Sequence, residues 1–156
     1  MTLFARSLME CKFIILLAVM IMISTACPSG FDAVNSKCLT VTGHRFTHHK
    51  AVDTCQELNA HLVFIQTAID NSAVLSYASN ITTPMWLGLT CTVEKQPKQC
   101  LWDDGTAVGY SNFLPGYPVT SIGTCVYLDS SNQPLKGRWI SATCGLDEYH
   151  AICEAN

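Results

Sequence analysis

The sequence predicts an α+β domain of about 130 residues held together by disulfides. Three observations lead there. Two segments with helical apolar spacing come early, short apolar runs rich in Val, Ile, Trp and Tyr follow with irregular chain between them, and eight cysteines remain once an N-terminal leader is set aside.

The leader comes first. Arg6 and Lys12 precede an eleven-residue apolar run, Phe13 to Ile23, and the small residues Ser24, Thr25 and Ala26 follow it. Charged, apolar and small-residue parts in that order read as a secretory signal, cut after Ala26. The competing reading is a membrane anchor, but the run is short of the ~20 apolar residues that cross a bilayer, and no stalk separates it from the domain. The expected division is therefore a signal peptide over 1–26 and one secreted, extracellular domain over 27–156, with no membrane insertion after cleavage. Cutting removes Arg6, Lys12 and Glu10 from nine Lys/Arg and twelve Asp/Glu, which leaves seven basic and eleven acidic side chains and a formal charge of −4. With no basic stripe, nucleic acid and anionic lipid are poor partners.

The cut also removes Cys11 and leaves Cys27, Cys38, Cys55, Cys91, Cys100, Cys125, Cys144 and Cys153. An even number in a secreted chain reads as four disulfides. A zinc site wants cysteines two to four residues apart, whereas eight residues separate the nearest pair, Cys91 and Cys100. Eight cysteines can pair in about a hundred ways, so the residues alone leave the connectivity open.

In order along the chain, CPSGFDAVNSKCLTVT reads as a hairpin turning at Asn35-Ser36, with Phe31, Leu39 and Val41 apolar. THHKAVDTCQELNAHL follows as a helix: Ala51, Val52, Cys55 and Leu58 recur at helical spacing, Thr47 is placed to cap it and Asn59 to end it. Leu62 to Ile65 reads as a short buried strand. A second helix starts at Thr67, where Thr67-Ala-Ile-Asp70 fits a capping box, turns Ile69, Ala73, Val74, Tyr77 and Ala78 inward, and ends near Asn80. Strand and loop succeed it: MWLGLTC, a charged excursion over 94–99 between Cys91 and Cys100, LWDDGTAVGY, the stretch NFLPGYPVTSIGTC over 112–125, CVYLD, RWISATC and YHAICE.

These pieces together resemble the C-type lectin-like domain family. Trp86-Leu87-Gly88-Leu89 is similar to the family's WIGL core motif; two helices precede it, and Trp102-x-Asp104-Gly105, Pro115-Gly116-x-Pro118, Cys125-Val126, Trp139, Cys144 and Ile152-Cys153-Glu154 follow. The match spans essentially the whole domain, and its specificity lies in the joint order and spacing of cysteines, tryptophans and glycines. The resemblance implies an α+β C-type lectin-like fold of two helices, small antiparallel sheets and a long loop region. It implies pairs of Cys55 with Cys153, Cys125 with Cys144 and, as in the long form, Cys27 with Cys38. It leaves Cys91 to Cys100, a pair outside the family's common set. It also points to secreted single-domain members of the kind abundant in invertebrates, nematodes in particular.

In sugar-binding members the long loop carries Glu-Pro-Asn or Gln-Pro-Asp and the following strand Trp-Asn-Asp, whose oxygens hold calcium. Here the matching triplets are Tyr117-Pro118-Val119 and Trp139-Ile140-Ser141. Calcium takes six to eight oxygen ligands and draws much of its affinity from carboxylates, yet no Asp or Glu occurs from Thr106 to Leu128. The expectation is a site without calcium and a protein without a cofactor. Pro118 is a candidate for the cis isomer that shapes this loop in relatives.

Other residues weighed for chemistry are fewer. Asp103 and Asp104 beside Trp102 admit a metal or acid/base role, but Asp104-Gly105 reads more simply as a turn. His44, His48 and His49 invite a metal hypothesis, against which His48 and His49 read as a solvated first helical turn. His61 falls where relatives place a polar residue before a core Leu, and His150 shares a strand face with Ile152. No serine lies in a Gly-x-Ser-x-Gly elbow and the cysteines are expected to be oxidised, so an enzyme is not expected. Asn80-Ile81-Thr82 is the only glycosylation sequon.

The sequence thus predicts recognition rather than catalysis. The ligand-binding candidates are Tyr110, Tyr117, Pro118, Tyr127 and Ser141, with Phe113 read as packing the loop onto the core. Calcium-independent carbohydrate binding, within innate defence against microbes, is the first expectation. Calcium-independent binding of an extracellular protein is the alternative.

Overall fold

The computed structural model describes residues 27–92, 99–131 and 134–156. The expected signal peptide and most of the charged excursion fall outside the described residues. The elements in order are β1 (Asp32–Val34), β2 (Lys37–Phe46), α1 (His48–Glu57), β3 (Ala60–Leu62), α2 (Ala68–Tyr77), β4 (Met85–Cys91), β5 (Cys100–Trp102), β6 (Cys125–Leu128), β7 (Trp139–Ala142) and β8 (Tyr149–Ala155).

The eight strands among the described residues join in one sheet, ordered β1-β2-β8-β4-β6-β7, with β3 on β8 and β5 on β4. The sheet is mixed rather than several small antiparallel ones, because β4 and β8 run parallel, Met85 facing His150 and Trp86 facing Ala151. Strand alternation sends Met85, Leu87 and Leu89 to one face, where they meet Val63, Ile65, Val74 and Trp139, and sends Trp86 to the other, beside Ala51 and Cys55 of α1. Two buried clusters result, one on each side of β4. Each fully buried aliphatic or aromatic side chain adds about 1.5–3 kcal/mol of transfer free energy.

Four disulfides close the fold among the described residues: Cys27–Cys38, Cys55–Cys153 and Cys125–Cys144, which the resemblance implies, and Cys91–Cys100, the pair that remained. Asn35 turns the first hairpin with φ 56°, a left-handed value that Asn tolerates better than most residues.

Several local expectations need correcting. Strand β3 covers 60–62 rather than 62–65; Val63 instead donates to Ile152 O and its own carbonyl accepts from Gly88 N, so this buried segment bridges β8 and β4 without extending a ladder. Thr47 has the extended backbone of an N-cap but makes no side-chain cap bond. Thr67 does cap α2, its hydroxyl accepting from Asp70 N at 3.0 Å. Asp70 reaches back to Gln66 N rather than to Thr67 N, which makes the box one residue longer than the usual pattern. Helix α2 ends at Tyr77 rather than near Asn80, and Ile69 is 69% exposed while Asp70 and Asn71 are buried. Those two polar residues turn inward because distant partners satisfy them. His48 is buried too, not solvated: its Nε2 lies 3.1 Å from Leu87 O and its ring stands edge-on to Trp86.

Candidate functional site

The long connection between β5 and β6 is zipped to the outer edge of β7. Leu114 N–H donates to Trp139 O and Trp139 N–H donates to Asn112 O, both at 3.0 Å. The Tyr110 and Phe113 rings stand edge-on to the buried Trp139 indole, their centroids 5.7 and 5.5 Å from it. Phe113 therefore fastens the loop to the core, and Tyr110 packs on the same indole rather than lying open as a platform. Asn112 completes the tie, donating to Gly137 O at 2.7 Å and accepting from Arg138 Nη1 at 2.9 Å.

Past Leu114 the chain turns outward. Gly116 adopts φ 90°, a conformation glycine takes without penalty, Tyr117 N–H closes the turn on Leu114 O, and the Tyr117–Pro118 peptide is cis. Val119 N–H then donates to the Ser141 hydroxyl at 2.8 Å. This bond joins the two triplets that hold calcium in sugar-binding members of the resembled family. The residues present do not fit that ion: Tyr117, Val119 and Ile140 offer no carboxylate or amide side chain, and the Ser141 hydroxyl already serves the loop backbone. Ser141 is 3% exposed, so it supports the loop from below. Among the described residues no three His, Cys, Asp or Glu side chains converge on a metal position.

Of the five ligand-binding candidates, Tyr117 and Pro118 share the outer turn, half-buried. Tyr127 sits elsewhere, on the α1 face of β6, its ring 4.7 Å from Tyr149 and 6.5 Å from Trp86. Burial raises the Tyr127 phenol well above its usual range, and the nearby carboxylates of Asp129 and Asp147 push the same way. The Tyr127 hydroxyl therefore stays protonated, a donor as well as an acceptor, at any physiological pH.

The acidic pair is a turn, as Asp104-Gly105 predicts. Gly105 has φ 84°, and Thr106 donates to Asp104 Oδ1 from its amide at 2.8 Å and its hydroxyl at 2.7 Å, which holds that carboxyl below its ordinary range. Asp103 is an exposed residue whose carboxyl is held above its range, first by partial desolvation against the chain, with nearby His61 pulling it back and Asp104 pushing it up. Three histidine rings bond backbone carbonyls: His48 to Leu87, His61 to Leu62 and His150 to Thr42. Sequence reasoning missed Asn71, Asn112 and Arg138, which position the loop; their partners are far away in the chain and no short motif marks them.

This fold, with its loop tied to β7, matches known proteins. The Lectin C-type domain family matches residues 44–155, and the chain belongs to that family. One chain of the snaclec salmorin, from Gloydius brevicauda, is 30% identical over 135 residues, with 83% of both proteins covered. C-type lectin domain-containing protein 38 of Caenorhabditis elegans is 28% identical over 133 residues, and C-type mannose receptor 2 of Mus musculus 26% identical over 141. Each of these two alignments takes in 82% of this chain but only 34% and 9% of those longer proteins. Among solved structures, human lithostathine superposes with a TM-score of 0.71 at 27% identity, over 86% of this chain and 93% of its own. A calcium-independent type II antifreeze protein shares the fold, with a TM-score of 0.67 at 22% identity over 83% and 93%. Members of this family are generally binding modules rather than enzymes. No described helix is long and apolar enough to cross a membrane.

Proposed function

We propose that the chain is a secreted recognition module that binds carbohydrate without calcium, through the outer turn of the long loop. The observation that carries this reading is the Val119 N–H to Ser141 Oγ bond at 2.8 Å. A direct protein contact holds together the two segments that an ion holds in sugar-binding relatives, so the loop keeps its shape with no metal. The half-buried Tyr117 ring offers a flat apolar face to the C–H surface of a sugar, and Pro118 stiffens the turn beside it. Tyr110, Phe113 and Ser141 anchor that turn, and Tyr127 supplies a second aromatic surface with Tyr149. A role in innate defence against microbial glycans follows as the biological setting. Asn80, exposed just after α2, is the proposed glycosylation site.

The test is binding of the refolded, oxidised 27–156 domain to a glycan and microbial-polysaccharide panel, in calcium and in EDTA, with Tyr117→Ala alongside. Binding that survives EDTA and falls in Tyr117→Ala supports the reading. Binding lost in EDTA overturns it. A protein partner is the second reading, favoured by Ile122 on this same loop, 52% exposed, and Leu146 on the β7–β8 turn, 83% exposed. Silence across the whole panel in both buffers would turn the assignment to it.

A further inference from the structure

From Thr106 to Leu146 the only acidic residue is Asp129, and the cations are Lys136 and Arg138. The loop and strand that lack calcium ligands thus carry a net positive charge on an acidic domain. Asp129 lies across from Arg138, its N–H donating to Arg138 O at 2.9 Å, but its carboxylate is committed elsewhere. It is 5% exposed, and its Oδ1 accepts from the Ser131 amide at 2.8 Å and from the Ser131 hydroxyl.

Arg138 is half-buried and fixed, yet has no counterion. Its Nη1 donates to Asn112 Oδ1 at 2.9 Å, and the Asn112 amide is oriented in turn by donating to Gly137 O at 2.7 Å. Among the described residues no carboxylate pairs with the guanidinium. The charged excursion does not start near it: β4 delivers the chain to that excursion at the Cys125 end of β6, where Thr90 faces Cys125, and Arg138 lies past the Leu128–Trp139 pair at the other end. A guanidinium has five N–H donors in a rigid plane, so four remain, enough for a fork that takes both oxygens of one carboxylate. Tyr110 stands beside it with a hydroxyl that makes no hydrogen bond among the described residues. Burial raises this phenol above its usual range, and the Arg138 charge pulls it back.

This cation flanks the outer turn. Trp139, next in the chain, accepts from Leu114 N–H, and Tyr117 N–H closes the turn on Leu114 O. A saccharide lying on the Tyr117 ring and running along this edge of β7 meets the Arg138 guanidinium.

We propose that Arg138, oriented by Asn112 beside the Tyr110 hydroxyl, is a specificity residue that selects saccharides bearing a carboxylate, those of the uronic-acid class. The assignment rests on the carbohydrate reading of the outer turn and names the kind of sugar it takes.

The experiment is a fluorescence-anisotropy titration of the oxidised chain in EDTA, at about 150 mM salt so that distant charges are screened. The probes are end-labelled tetragalacturonate, tetramannuronate and a hyaluronan tetrasaccharide, each beside its carboxyl-reduced neutral form. At least one acidic form is expected to bind about tenfold or more tighter than its reduced form. Arg138→Gln removes that preference, and Arg138→Lys restores only part of it, because an ammonium has the charge without the fork. The ratio of acidic to reduced affinity is the readout, since a merely displaced loop weakens both forms alike. Arg45→Gln, at an exposed arginine of β2, leaves the ratio unchanged. Tyr117→Ala separates this assignment from the reading beneath it. Reduced forms that bind through Tyr117, with no preference for the acid, overturn the role of Arg138 and keep the carbohydrate site. Acid binding that needs Arg138 but not Tyr117 keeps the role of Arg138 and overturns the turn as the sugar platform. No binding by any of the probes overturns the uronate assignment, and so does a heparin tetrasaccharide that binds through Arg138 more tightly than the uronates.

Discussion

Trp139 donates its indole N–H to Asn71 Oδ1 at 2.8 Å, tying β7 to α2 across 68 residues of sequence. The amide of Asn71 donates in turn to Gly137 O at 3.2 Å, the carbonyl that Asn112 of the long loop also reaches. Helix, strand and loop thus meet at one buried polar point. Asn71→Ala strands a buried indole donor and removes a bond to Gly137, so it is expected to cost about 2 kcal/mol or more in urea unfolding, with the m-value unchanged. A cost below about 0.5 kcal/mol would show that these bonds contribute nothing net.

Gly123 marks where the loop presses closest to the sheet. A methyl there would overlap the Ala142 carbonyl, which is backbone and cannot swing aside. Gly123→Ala is expected to destabilise the domain by about 1–3 kcal/mol or to displace the loop. Thermal unfolding alongside glycan binding distinguishes these outcomes, and an unchanged midpoint with unchanged binding would refute the close approach.

The disulfides differ in what they constrain. Cys55–Cys153 spans 98 residues and Cys91–Cys100 only 9. Chain entropy assigns about 4.7 kcal/mol to the first and about 2.6 kcal/mol to the second. Paired Cys→Ala variants should therefore lose more stability when the long bridge is removed, measured by guanidinium unfolding under oxidising conditions. The opposite order would reject the entropic account for this chain.

His48 makes stability depend on pH. Burial holds its pKa below the ordinary 6.5, opposed by the bond to Leu87 O and reinforced by His49. The folded state thus keeps the ring neutral while the unfolded chain protonates first. Its contribution is complete above pH 6.5 and is lost as pH falls from there through the lowered folded value, at no more than about 1.4 kcal/mol per pH unit. His48→Gln should flatten the stability profile between about pH 7 and 5. A profile as steep as the wild type would place the titration on another group.

Residues that act through neighbours in sequence were legible before the fold was. Thr67 caps α2, Asp104-Gly105 turns, Asn35 bends the first hairpin and the WLGL segment forms the central strand, because each depends on its own dihedrals and spacing. Helical periodicity failed at Ile69, Asp70 and Asn71: it sends apolar residues inward, whereas Asp70 takes a hydrogen bond from Asn35 and Asn71 one from Trp139, neither of which is visible in a short window. His48 failed for the same reason, since its partner, Leu87, lies 39 residues on. At the candidate site, the lack of carboxylates over 106–128 was plain from composition. The separation of Tyr127 from Tyr110 was not, because it depends on which face of β6 the ring takes.

Strand β8 lies between β2 and β4 and also pairs with β3. The last of the described strands to be synthesised therefore occupies the middle of the sheet. Until it emerges, β2 and β4 each lack a neighbour and Cys55 waits for a partner 98 residues downstream. The cysteines made before Cys55 include Cys27 and Cys38, which pair with each other across only 11 residues, so it is that short bridge that keeps them from Cys55 until Cys153 exists. In an oxidising compartment the order of synthesis therefore makes the 98-residue bridge the last constraint to close, and thiol exchange is the route by which any earlier mispairing of Cys55 is reversed.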